Sequence, residues 1–107
     1  MGEITEATSQ NFEERVIQSA IPVLVEFWAP WCGPCKVVSP QLEKIAHEFA
    51  DDLAVVKMNL DDSPDITQRL GIWSIPTVIL FRNGYISGQQ VGAGSLSRLR
   101  AFVKSHL

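Results

Sequence analysis

Apolar positions recur along this chain with two different periods, and each change of period marks a change of element. Val23-Leu24-Val25-Glu26-Phe27-Trp28-Ala29 is a continuous β-rich run broken by a single charge, Glu26. A strand without polar alternation is covered on both faces, so this run predicts a central strand. From Cys32 to Ala50 the spacing becomes helical, with Val38, Leu42, Ile45, Ala46 and Phe49 on one stripe. Pro40 lies inside that helix and predicts a kink, because proline removes a backbone donor. Leu53 to Met58 and Thr77 to Phe81 read as further buried strands, and Ile4 to Ala7 as a short first one.

Turn and cap residues punctuate these runs. Ser9 or Asn11 is placed to cap a short helix in which Phe12, Val16 and Ile17 share a face. Ser63-Pro64-Asp65 reads as a cap followed by proline at the first helical position, and Gly71 ends that helix. Asn83-Gly84 is a hairpin turn from which Ile86 to Val91 returns antiparallel. Ser95 caps a last helix with Leu96, Leu99, Phe102 and Val103 facing inward. The order β-α-β-α-β-α-β-β-α predicts an α/β fold, a central mixed five-stranded sheet flanked by four helices on its two faces.

Composition narrows the class. A chain of 107 residues fits one domain spanning 1–107, and 46% hydrophobic residues supply a real core. The net charge of −3 and scattered Lys and Arg argue against nucleic acid as a partner. No apolar run reaches membrane-spanning length, so no membrane association is expected. The acidic start has no apolar core and does not read as a secretory signal. Met1-Gly2 does not read as a lipidation site, because Glu6 stands where that motif needs Ser or Thr. Two cysteines are too few for a disulfide scaffold and suit a reducing, cytoplasmic compartment.

Those two cysteines carry the chemistry. They lie in Phe27-Trp28-Ala29-Pro30-Trp31-Cys32-Gly33-Pro34-Cys35-Lys36, where the apolar strand gives way to the helix. A Cys-x-x-Cys pair at a strand-to-helix junction can pass electrons by making and breaking one bond. As an inert staple it would constrain little of the unfolded chain. Zinc is not expected, nor is any other cofactor: His47 and His106 do not complete a ligand set with two cysteines.

The Trp-Cys-Gly-Pro-Cys-Lys centre resembles the active site of the thioredoxin family. The similarity extends over essentially the whole chain through Lys57, Gly71, Ile75-Pro76-Thr77, Asn83-Gly84 and Gly92-Ala93. It implies the thioredoxin fold and a thiol–disulfide oxidoreductase that reduces protein disulfides and is restored by a thioredoxin reductase, NADPH- or ferredoxin-linked. Cys32, at the expected helix N-terminus, is the candidate nucleophile, since the unpaired N–H groups there favour a thiolate. Cys35, one turn further in and expected to be less exposed, is the candidate resolving thiol. Buried Glu26, with Lys57 as partner, is implied by the resemblance to move the Cys35 proton. The family usually carries Asp at this place. A cis Ile75–Pro76 bond is implied in the same way, bringing that loop against the cysteines for pairing with an extended substrate. Trp31, Gly33, Pro34, Ile75, Pro76, Gly92 and Ala93 are expected to form an apolar substrate face. Trp28 is expected to pack. Trp73-Ser74 departs from the family's common Arg-Gly pair, so Trp73 either enlarges that face or packs locally. Gly33-Pro34 matches reductant members of the family rather than its oxidases or isomerases. A monomer is expected. The alternative is a redox-independent docking subunit using the same apolar face.

Overall fold

A computed structural model describes residues 3–107; the Met1-Gly2 start lies outside the described residues. The elements are β1 (Ile4–Glu6), a wide helical turn (Glu13–Ile17), β2 (Val23–Trp28), α1 (Cys35–Glu48) and β3 (Ala54–Asn59). A single turn (Leu60–Asp62), α2 (Pro64–Leu70), β4 (Thr77–Arg82), β5 (Tyr85–Val91) and α3 (Leu96–His106) complete them. The five strands form one sheet in the order β1-β3-β2-β4-β5. β1 and β2 run parallel to β3, while β4 is antiparallel to both β2 and β5. The mixed sheet expected from the alternation of periods is therefore present, with β2 at its centre.

Strand alternation divides the interior into two apolar layers. Leu24, Val55, Val78 and Leu80 pack with Val38, Leu42 and Ile45 of α1 and Leu99, Phe102 and Val103 of α3. Val23, Val25, Phe27, Val56, Met58, Ile79 and Phe81 pack on the other side with Phe12, Val16 and Ile66. The unbroken apolar run of β2 serves both layers at once.

Several local signals hold. Asn83 and Gly84 both have positive φ, 52° and 82°, as a tight hairpin between β4 and β5 requires. Gly71 ends α2 in the left-handed conformation at φ 69°. The Ser95 hydroxyl accepts the Arg98 N–H at 3.1 Å and starts α3.

Other signals are corrected. Neither Ser9 nor Asn11 caps the first helical segment. Asn11 Oδ1 accepts the Thr8 N–H at 2.7 Å, the Ser9 hydroxyl donates to Asp65 at 2.5 Å, and Phe12 occupies the cap position. Ser63 precedes Pro64 as expected, but its hydroxyl is buried without a hydrogen-bond partner among the described residues. Its ψ of 53° differs from the extended ψ of 161° that lets Ser95 reach back to its helix. The long helix begins at Cys35, three residues later than Cys32, and ends at Glu48. Residues 29–37 turn tightly first, through Cys32 N–H to Ala29 C=O (3.1 Å) and Lys36 N–H to Gly33 C=O (3.0 Å).

Candidate active site

The cysteines meet where β2 ends and α1 begins. Cys32 and Cys35 are joined as a disulfide, with Cα atoms 5.4 Å apart. Although Cys32 precedes the helix, its sulfur stays at the helix N-terminus: the Cys35 N–H points to Cys32 Sγ at 3.2 Å. Ala29 and the two cysteines form a small apolar cluster of their own, packed by Trp28, Leu60 and Ile75. The expected contrast in exposure between the thiols is slight in this oxidised state. Cys32 is 5% exposed and Cys35 3%, both within that cluster.

Glu26 lies two positions after Leu24 along β2, on the same face, and so points into the layer beneath α1 and α3. It is wholly buried, and among the described residues neither carboxyl oxygen has a hydrogen-bond partner. Burial, foremost, pushes its pKa up from 4.5 to about 7; the Lys57 charge opposes this and the Glu6 charge adds to it. The expected Glu26–Lys57 pair exists only as adjacency. Lys57 lies beside Glu26 in register, but its ammonium sits 4.4 Å over the Trp28 ring. Glu6 pairs in register with Lys57 from the other side, so a carboxylate, an ammonium and a second carboxylate cross three adjacent strands. Burial raises the Glu6 pKa, against the lowering effect of Lys57 and the Trp28 indole. This third charge was missed because β1 carries too few apolar residues to announce its pairing.

The Ile75–Pro76 bond is cis. Pro76 is buried, whereas Ile75 is half-buried against the disulfide cluster. The Thr77 hydroxyl donates to Ser74 C=O at 2.6 Å, and the Gly92 N–H donates to Pro76 C=O at 2.8 Å. Gly92 has φ 89°, a conformation that side-chain-bearing residues rarely adopt. Gln41 of α1 donates to Gly94 C=O at 2.7 Å, tying the Gly92-Ala93 loop to the helix that carries the cysteines. Gly33, Pro34, Gly92 and Ala93 are all exposed.

Trp28 is half-buried with the Lys57 ammonium over its ring, in keeping with a packing role. Trp31 is 67% exposed, and its indole N–H donates to Asp61 Oδ2 at 3.0 Å. Asp61 is itself placed by the Leu60–Asp62 turn, which Asn59 caps by accepting the Asp61 N–H at 2.9 Å. Asp61 was missed; the Asn59-x-Asp61 spacing is the signal that could have found it. Trp73 is 95% exposed, which excludes the local-packing reading. Trp31, Leu60, Ile72, Trp73, Ser74 and Ile75 line a cleft of about 270 Å³ beside the disulfide. Among the described residues, no helix is long and apolar enough to cross a membrane.

A formed bond between the only two cysteines leaves the docking-only reading without an observation in its favour. Comparison with known proteins agrees with the geometry. The thioredoxin family model matches residues 3–105. A thioredoxin of Haemophilus influenzae is 43% identical over 107 residues, covering all of both chains. One of Acidithiobacillus ferridurans is 47% identical over 100 residues, 94% of this chain and 93% of that one. One of Allochromatium vinosum is 45% identical over 103 residues, 96% of each. With its cysteine pair at the active-site position, this chain belongs to the thioredoxin family, thiol–disulfide oxidoreductases that reduce disulfides in other proteins and are themselves restored by a reductase.

Proposed function

We propose that Cys32 is the nucleophile and Cys35 the resolving thiol of a protein-disulfide reductant. The observation that supports this most directly is the Cys32 sulfur held against the first N–H of α1. Unpaired N–H groups at a helix N-terminus stabilise the anion that attacks. In the reduced protein, the Cys32 thiolate attacks one sulfur of the substrate disulfide. A mixed disulfide forms, and the other substrate sulfur leaves as a thiolate. Cys35 then loses its proton and attacks Cys32 Sγ, forming the Cys32–Cys35 bond and expelling the second substrate sulfur. Two electrons pass to the substrate, which takes up two protons and ends as a dithiol.

Glu26 is the base proposed for the Cys35 proton, through water. A buried carboxyl with a pKa near 7 can both accept and release a proton at neutral pH. Lys57, in register beside it, tunes that equilibrium through its charge. Trp31, Gly33, Pro34, Ile75, Pro76, Gly92 and Ala93 form the platform on which an extended substrate lies, with the Ile75 backbone pairing to it. The protein acts as a single-domain monomer in a reducing cytoplasm. Its reductase is a thioredoxin reductase, drawing on NADPH or ferredoxin.

The test is reduction of the interchain disulfides of insulin with dithiothreitol as terminal donor. The wild-type protein is expected to accelerate precipitation of the freed chain, and Cys32→Ser to abolish the acceleration. Equal rates with and without the wild-type protein refute the assignment.

A further inference from the structure

The cleft between Trp31 and Trp73 contains more chemistry than an apolar platform needs. Two indoles form its walls, exposed to 67% and 95%. Its volume, about 270 Å³, lies below the range of small-molecule sites and suits one side chain. Leu60, on one wall, leads directly into Asp61 and Asp62, both exposed. No Lys or Arg lines the cleft. Leu60 and Ile75 belong both to the cleft and to the shell around the disulfide, so the two sites adjoin.

Resting on the reductant reading above, we propose that this cleft is a subsite for a cationic side chain, arginine above all, near the reacting cysteine of the substrate. A guanidinium stacks on indole faces and is attracted by their quadrupole, and Trp is the strongest partner among the aromatic rings. The carboxylates of Asp61 and Asp62 supply the complementary charge. The protein already uses this contact internally, with the Lys57 ammonium 4.4 Å over Trp28 and the Arg69 guanidinium 5.5 Å over Phe12. A neutral apolar side chain would fill the space without engaging the carboxylates, and an acidic one would be repelled. An extended substrate advances about 3.3 Å per residue, so a side chain one or two positions from the cysteine reaches the cleft. Trp73 is then the residue that sets the preference, because the Trp31 indole N–H is already committed to Asp61.

The test uses pairs of cystine peptides that differ only in carrying arginine or citrulline, its neutral isostere, one or two residues to either side of the cysteine. Single-turnover reduction by the dithiothreitol-reduced protein is followed at low salt. At one of these positions the arginine peptide is expected to react about tenfold faster in kcat/KM, equivalent to about 1.4 kcal/mol. Trp73→Ala should bring that ratio below about threefold. Asp62→Asn should reduce it and flatten its salt dependence. A ratio near one at every position, with both peptides reduced, overturns the cleft while leaving disulfide reduction in place. A ratio that survives Trp73→Ala overturns it as well. Reduction of neither peptide sinks this proposal together with the reading on which it rests.

Discussion

Replacing Glu26 by Gln should flatten the pH dependence of stability in a defined window. The carboxyl lies in the central strand, wholly buried and without a hydrogen-bond partner among the described residues. Its pKa rises from 4.5 to about 7, chiefly through burial. Between those values the folded protein holds a proton that the unfolded chain has released. The unfolded state then binds fewer protons, so stability falls as pH rises. Below about 4.5 both states are protonated and above about 7 both are ionised, so the slope is confined to that interval. Two and a half pH units at about 1.36 kcal/mol each come to on the order of 3 kcal/mol. That is a large part of the 5–15 kcal/mol typical of a whole domain. Gln keeps the shape and cannot ionise. The stability difference between wild type and Glu26→Gln should therefore shift by about 3 kcal/mol in favour of Gln between pH 4.5 and 8. Urea unfolding of the oxidised proteins measures it, since the disulfide removes both thiols from the titration and taking the difference cancels groups common to the two. A difference that stays constant across this range refutes the assignment of a buried, destabilised carboxylate. A shift of opposite sign would mean that Lys57 holds Glu26 ionised in the native state.

Three further outcomes are expected. Cys35→Ser should stall at a mixed disulfide through Cys32, visible as a stable adduct by intact-protein mass spectrometry, whereas Cys32→Ser should form none. Glu26→Gln should slow release from the mixed disulfide by about 100-fold at pH 7 in rapid-quench experiments, the low end of general-base effects; an unchanged rate removes Glu26 from the chemistry. Gly88→Ala should lose about 1–3 kcal/mol in urea unfolding, because a Cβ there would lie 2.4 Å from the His106 ring; most of the loss should return in the Gly88→Ala, His106→Ala double variant.

Local and short-range features were the legible ones. The unbroken apolar run of β2, the Asn83-Gly84 turn, the Gly71 stop and the Ser95 cap all hold because each depends on residues within a few positions. Ser63 resembles Ser95 as a cap and fails, because tertiary packing buries its hydroxyl and sets a different ψ. Ser9 is drawn away by Asp65, 56 residues distant, which no local rule could foresee. The cysteine pair, the cis Ile75–Pro76 bond and the burial of Glu26 were all anticipated. How Lys57 would be used was not. Its neighbour Trp28, on the adjacent strand, offers a ring face to the ammonium that strand order alone does not reveal. Likewise Asp61 reaches Trp31 only through a helical turn too short to leave a periodic trace.

The sulfur pair has its own small cluster, joined to one of the two large apolar layers through Ile75. Leu24, Ile45, Phe27 and Ile79 lie in those layers and not around the sulfurs. An electron carrier built this way keeps its working bond at the margin of its architecture, much as a hinged door hangs at the edge of a wall.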